Sequence, residues 1–439
     1  MSETVIDLHH ATPPRSKVPS PIQAAAFVFT RRMMLHTLAK RYGPIFQLRL
    51  PVFGNTVVVA DQAMAKQVFT ASTDDLVNVQ PNLSRVLGPG SVFALEGGEH
   101  RKRRKLLTPP FHGKSIRNYE KIVEEETLRE IAGWPEGEEI ETLEPMMRVT
   151  LNIILRAVFG ADGGEFDRLR ELVPPLVELG SKMAAIPVPP ARLRRFTPWH
   201  RLDRLNKQFD DVVFTLMDKA QADPAFEERS DILALLMRST YEDGTPMTRQ
   251  DIADEMRTLV GAGHETTAST LAWAFERLSR HPKVLDELVA EVDSGGSELR
   301  QATINEVQRT RAVIAFAGRH VQASDFELGG YRIPKGYSIV VSNWLIHEDA
   351  ETYPDPQRFD PHRWLGVKVN PYAWLPYGGG TRRCVGAAFA NMELDVVLRT
   401  VLGHLAVEPT DAPDERWHSR GVAFTPKRGG RITVRRRVS

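Results

Sequence analysis

Residues 376–386 read PYGGGTRRCVG, and Cys384 within them is the single cysteine among 439 residues. A lone cysteine is most often a small buried hydrophobe. This one follows three consecutive glycines and two arginines and precedes Gly386. Packing alone needs none of these neighbours. Glycines, among them Gly378, let a backbone approach a flat or bulky group without Cβ atoms in the way, and Arg382 supplies positive charge for an anion. Downstream, Phe389, Met392, Val396, Val397 and Leu398 recur near helical spacing, which predicts a helix starting at or just after the cysteine. Its free N–H groups and dipole favour a thiolate. The fold must therefore bring a helix N-terminus and a sulfur to a partner inside the protein.

Several partners are possible. Zinc takes three or four Cys, His or acidic ligands at regular spacings, and none accompanies Cys384. An iron–sulfur cluster normally takes four cysteines. A nucleophilic cysteine takes a partner histidine, and the sequence assigns none. Haem iron needs only one axial thiolate.

Charge narrows the class further. Lys and Arg total 57 against 56 for Asp and Glu, so the net charge is +1 and nothing points to nucleic acid. One cysteine forms no intramolecular disulfide, which suits a reducing cytosol. The N-terminus has no apolar run long enough for a signal peptide or a membrane anchor; IQAAAFVFTRRMML is too short to span. A cytoplasmic protein without a membrane anchor is expected.

Residues 1–20 are polar and Pro-rich and read as a flexible tail; residues 21–439 read as a single domain. RYGPIFQLRLPVFGNTVVVAD (41–61) predicts a strand pair, punctuated by Pro51 and Gly54. Helical periodicity dominates the next 240 or so residues. Residues 173–200 carry six prolines, which predicts a broken, partly mobile connection of the kind used as a lid. A long helix is predicted from about Thr248 to His281, stopped by Pro282, followed by a helix over ATINEVQRTRAVI, short strands in FELGGYRIPKGYSIVVSN and a last strand in GRITVRRRV.

Three further stretches carry unusual residues. AGHETT (262–267) places glycines, an acid and threonines inside the long helix. Gly261 and Gly263 cost roughly 1 kcal/mol each there relative to Ala, and Thr can bond back to the i−4 carbonyl and bend the helix. In EVQR (306–309), Glu306 and Arg309 share one helix face. In GEHRKRRKLLTPPF, His100 and Arg104 are four apart and can reach one carboxylate, while Lys102 and Lys105 read as a solvated face.

YGGGTRRCVG resembles the haem-thiolate signature of the cytochrome P450 family, FxxGxRxCxG, with Tyr377 in place of the usual Phe and with Gly380, Arg382, Cys384 and Gly386 matching. The long-helix stretch resembles the family's AGx(D/E)T, EVQR its ExxR, FDPHRW (359–364) its FxPxRF/W, and the His100–Arg104 pair its propionate-binding helix; matches run from about residue 40 to the end. The resemblance implies a mainly α fold, the helical triangular prism of cytochrome P450 with small β-sheets. It implies a b-type haem with Cys384 as the metal ligand and His100, Arg104, Ala262, Gly263, Arg319, Tyr377, Gly378, Arg382 and Gly386 around it. Glu265 and Thr266 match the family's acid–alcohol pair. Glu306, Arg309 and Arg363 match a buried triad that holds the cysteine loop, with Arg358 as the weaker choice for the second arginine. Ala312 stands where a proline often follows the ExxR helix, so the lining from Val313 to Ala317 departs from the common pattern.

The implied activity is monooxygenation of a hydrophobic small molecule by a monomer. Electrons come from NAD(P)H indirectly, through a separate ferredoxin and ferredoxin reductase, because no such sequence is fused here. Arg101 and Arg103 are expected on the outward faces of their helix, towards that acidic donor. The alternatives are a haem-thiolate peroxygenase, isomerase or dehydratase, and a non-enzymatic haem sensor or carrier.

Overall fold

The long helix runs from Arg249 to Ser279. Thr248 caps it by accepting from the N–H of Asp251 at 3.1 Å, and the acid in the first turn suits the helix dipole. Pro282, which cannot continue a helix, begins the next one, Pro282–Asp293. The computed structural model describes residues 11–50, 53–79, 82–160, 163–184 and 186–437. Ile252–Val260 and Thr267–Ser279 are buried without interruption, so this helix threads the core. Its most extensive neighbour is the helix Leu143–Phe159, whose Met146, Ile153 and Val158 are fully enclosed.

The helix after the cysteine spans Ala387–His404 and packs against Lys114–Ile131. Phe389, in its first turn, lies edge-on to Phe111 and Tyr119, with ring centroids 5.9 and 5.3 Å away. Those aromatic contacts fix the end of the helix that carries the sulfur.

The predicted strand pair forms as Ile45–Leu50 and Gly54–Val59, antiparallel, with Gln47 opposite Val57; Pro51 lies outside the described residues. Its second strand runs parallel to Ser338–Ser342, which pairs with Phe316–Val321, which pairs in turn with Leu76–Asn78. The small sheets expected at the two ends of the sequence are thus joined in one five-stranded sheet. The final strand, Arg431–Arg436, pairs with Glu139–Glu141 and Leu405–Val407. The molecule is helix-rich with minor sheets, as expected.

Two expectations change. Of the presumed tail, residues 1–10 lie outside the described residues, while Pro13 and Ser16 are buried and Arg15 bridges to Gln47. The proline-rich stretch 173–200 is not broken throughout: Pro174 and Pro175 lie inside the helix Gly164–Met183. They leave the carbonyls of Arg170 and Glu171 without helical donors. Glu171 is exposed and Arg170 half-buried, so water can serve those carbonyls. Buried Val173 and Leu176 hold the helix against its neighbour Pro198–Ala222.

Candidate functional site

The cysteine loop is closed by its own backbone, with the N–H of Cys384 donating to the carbonyl of Tyr377 at 2.9 Å. Gly378 and Gly380 take φ of +63° and +66°, a region that glycine enters without strain. A Cβ on Gly380 would lie 2.0 Å from the carbonyl oxygen of Phe69, and one on Gly379 would lie 2.5 Å from the Phe69 ring. Gly379 and Gly380 therefore admit the helix Gln62–Thr70, where the sequence suggested approach to a flat group. Tyr377 Oη accepts from Gln308 Nε2 at 2.8 Å.

Cys384 is exposed, yet protein crowds it so closely that desolvation raises its thiol above the usual range. The Gly386 N–H, Arg104 and Arg383 pull the other way. Both observations describe a sulfur in a cleft rather than on the outer surface. The long helix has a matching interruption in its burial: Ala262 is exposed and Gly261, Gly263 and Thr266 are half-buried between buried runs.

Cationic groups from separate segments converge at His100. This residue is buried on the helix Gly97–Leu107, and its Nδ1 has no hydrogen-bond partner. Burial first, then Arg382, Arg104 and Arg319, push its pKa down to about 4. Each arginine is braced on a carbonyl: Arg104 on Arg383 at 2.5 Å, Arg319 on Gly379 at 3.1 Å, and Arg382 on Val92 and Leu95 at 3.0 and 2.5 Å. Burial lowers the pKa of Arg319 to about 10. Crowded cations with an orphaned ring nitrogen call for an anion. Carboxylates on the edge of a bound group suit them, and a lone thiol in a cleft suits an iron that takes one protein ligand. Among the described residues no cluster of His, Cys, Asp and Glu could hold a bare metal ion.

Arg103 contradicts its expected outward position. His100, Arg103 and Leu107 form the buried face of their helix. Arg103 donates to Glu255 at 2.8 Å, to Tyr241 Oη at 2.9 Å and to the Gly90 carbonyl at 2.5 Å. Periodicity put it on the inner face, and a buried carboxylate on the long helix accepts its charge. Arg101 is exposed and reaches Thr73 Oγ1 at 2.8 Å. Lys102 and Lys105 pair with Glu99 and Glu242 at the surface.

On the long helix, Thr266 Oγ1 donates to the Ala262 carbonyl at 2.8 Å. Glu265 is buried and meets Arg420 Nε at 2.7 Å. Burial raises the pKa of Glu265, and Arg420 opposes that rise. Arg420 stands on the turn between the strands Trp417–Ser419 and Phe424–Pro426. That turn is fastened to the helix Gly164–Met183: the Val422 N–H donates to Ser181 Oγ at 2.9 Å, and a Cβ on Gly421 would lie 2.4 Å from the Ser181 carbonyl oxygen. Sequence reading did not single out Arg420, because no local pattern links it to Glu265. Glu393, on the cysteine helix, was also missed; burial pushes its pKa up to about 8, against the opposing influence of Thr267.

Glu306 and Arg309 are fully buried and joined by two contacts, 2.7 and 2.8 Å. Glu306 also accepts from Arg363 Nε at 3.2 Å, Trp364 Nε1 at 2.9 Å and the Asp360 N–H at 2.9 Å. Arg309 donates onward to the carbonyls of His347, Pro356 and Arg358. The Arg358 side chain points outward, leaving Arg363 as the second arginine on Glu306.

A family model described as "Cytochrome P450" matches residues 13–432. "Putative cytochrome P450 138" of Mycobacterium tuberculosis is 58% identical over 425 residues, 97% of this chain and 96% of the relative. "Putative cytochrome P450 137" of the same species is 39% identical over 412 residues, covering 92% and 85%. Among solved structures, cyanobacterial CYP120A1 with retinoic acid bound superposes with a TM-score of 0.84 at 21% identity, over 97% of this chain and 99% of that one.

Proposed function

The chain belongs to the cytochrome P450 family of haem-thiolate monooxygenases, and we propose that it inserts one atom of dioxygen into a hydrophobic small molecule while the other leaves as water. Two electrons from NAD(P)H arrive one at a time through a separate ferredoxin and its reductase, in the cytoplasm, at a monomer. When bound, the haem supplies dioxygen activation, and donation from a thiolate favours O–O cleavage.

In this reading Cys384 would ligate the haem iron. His100, Arg104, Arg319 and Arg382 would hold the haem carboxylates, the anions their cluster calls for. Ala262 and Gly263 leave the middle of the long helix open. Tyr377, Gly378 and Gly386 shape the loop around the sulfur, and Glu306, Arg309 and Arg363 keep that loop in register.

The carrying observation is the Glu265–Thr266 pair at the accessible stretch of the long helix. Thr266 Oγ1 can donate and accept at once, so it can pass on a proton when it turns from Ala262. Glu265 is a buried acid whose pKa is raised by burial and held back by Arg420, and a carboxyl can pass protons on towards that alcohol. Arg420 sets its position. A peroxide-driven enzyme, an isomerase or a sensor has no need of this relay.

A hydrophobic substrate is supported by the apolar side chains exposed along 186–196, namely Ile186, Val188, Leu193 and Phe196. A donor docking beside the sulfur is supported by exposed Arg101 and Arg383.

The test is a reduced carbon monoxide spectrum joined to a reconstituted assay. Wild type should show the red-shifted Soret band of a thiolate-ligated haem, and Cys384→Ser should lose it. NAD(P)H oxidation by ferredoxin, reductase and enzyme should then rise with an apolar substrate. Product formed from added peroxide but never from NAD(P)H would overturn the proposal.

A further inference from the structure

Between Asp7 and Asp61 the chain has no acidic residue, while 7 of its residues there are Lys or Arg. Overall the two charges balance, so this run is a local excess. It forms the helices Ser20–Phe29 and Arg31–Tyr42, joined through Thr30. The inner side of the corner is fixed. Phe27, Leu35 and Leu38 are buried, Arg31 lies over the Phe27 ring at 4.1 Å, and Arg32 meets Glu348 at 2.5 Å. The outer side is apolar and unpacked: Ile22 is 58% exposed, Val28 61%, Phe29 82% and Met33 65%.

These side chains form one surface. Ile22, Ala25 and Phe29 follow each other on the first helix at helical spacing, and Met33, Thr37 and Lys40 do so on the second. A groove of about 250 Å³ lies against them, lined by Val18, Ala26, Met33 and Leu38 among others. Arg15, Lys17, Lys40, Arg41 and Arg49 are exposed, and among the described residues none forms an ion pair. Glu348 is already engaged by Arg32 and His36.

We propose that this corner docks on the surface of an anionic lipid bilayer. Val28, Phe29 and Met33 enter the boundary between headgroups and acyl chains, and the exposed cations meet lipid phosphates. A protein partner would need a cavity shaped to protruding side chains, with carboxylates placed around it. A bilayer accepts any protruding apolar group and attracts nearby Lys and Arg. The long stems of Lys40 and Arg41 can lie along the apolar surface with their charges at the phosphates. Binding is peripheral, since no helix among the described residues is long and apolar enough to cross a membrane. The surface serves an apolar substrate that partitions into lipid, but the docking does not depend on the chemistry at Cys384.

The test is co-sedimentation of the holoenzyme with vesicles of phosphatidylglycerol and phosphatidylcholine, against phosphatidylcholine alone. Binding should require the anionic lipid and fall as salt shortens the Debye length. Phe29→Ser with Met33→Ser should lower the partition coefficient about tenfold or more, from the apolar area withheld. Lys40→Glu with Arg41→Glu should lower it and flatten the salt dependence. All four side chains are exposed, so haem content should stay unchanged. Failure of wild type to sediment with the anionic vesicles, or binding untouched by both pairs, overturns the proposal. So does a loss caused by Phe196→Ser, on the exposed segment 186–196, with both corner pairs leaving binding intact. If the Phe29–Met33 pair weakens binding of an acidic ferredoxin and leaves vesicle binding intact, the corner is a protein interface and the lipid assignment fails.

Discussion

Replacing Glu306 with Ala should cost this protein its haem before it costs any step of turnover. The carboxylate is fully enclosed and accepts from Arg309 twice, from Arg363, from Trp364 Nε1 and from the Asp360 N–H. Its removal leaves the buried Arg309 guanidinium without its counter-ion, a loss of about 3–5 kcal/mol for breaking a buried pair. Two neutral donors, the Trp364 indole and the Asp360 amide, are orphaned as well, at about 1–3 kcal/mol each when no water reaches them. These penalties overlap, and the three carbonyls that Arg309 retains soften the first. A net loss of about 4–6 kcal/mol remains, comparable with the whole stability of many domains, about 5–15 kcal/mol. Trp364 packs edge-on to Trp374, and Trp374 edge-on to Tyr377, with ring centroids 6.0 and 5.9 Å apart, so the disturbance reaches the cysteine loop through these rings. The assay is the ratio of Soret to protein absorbance in freshly purified protein, with thermal unfolding followed at both wavelengths. Glu306→Ala should be mostly haem-free or aggregated. Arg358→Ala is the control, because that side chain is 67% exposed and only its carbonyl takes part. A soluble Glu306→Ala protein with full haem content and the control's melting temperature would refute the reasoning.

Thr266→Ala should bind haem and substrate almost normally and still consume NAD(P)H, while electrons are diverted from product to hydrogen peroxide; parallel assays of cofactor, peroxide and product check this. Arg420→Gln removes the cation that lowers the pKa of Glu265, so that pKa should climb further and the pH limb of kcat that reports it should move up, with Arg420→Lys restoring part of the shift. Arg103→Ala should destabilise in a pH-dependent way. Glu255 is pushed up to about 7 by burial even with Arg103 beside it, and without it should titrate higher. A carboxyl whose folded pKa exceeds its unfolded value contributes stability below the unfolded value and loses it as pH rises through the folded one, so the variant's deficit in Tm should widen from about pH 6 to pH 9. Arg101→Glu, at an exposed position, should leave Tm unchanged and slow reduction by an acidic ferredoxin at low salt; an unchanged rate returns Arg101 to a plain solvated surface.

Contiguity decided what could be read from the sequence. The cysteine loop, the long helix with its acid and alcohol, and the Glu306–Arg309 pair each place their key groups within one or two turns of chain. Local spacing and glycine content marked them as unusual, the resemblance to the cytochrome P450 family gave them their expected roles, and helical periodicity foretold the elements that carry them. Tertiary structure decided everything that depends on what lies opposite. Arg103 sits in a run of five basic residues and was expected on an outward face, yet it turns inward to Glu255 on another helix. Arg420 reaches Glu265 across 155 residues of sequence. Gly379 and Gly380 owe their small size to Phe69, from a helix about three hundred residues earlier. His100, Arg104, Arg319 and Arg382 come from three segments, and only their convergence makes a site for an anion. Periodicity says which face of an element is buried. The identity of the group that face meets is set by packing between elements distant in the chain, where loop length and register, rather than local spacing, choose the partner.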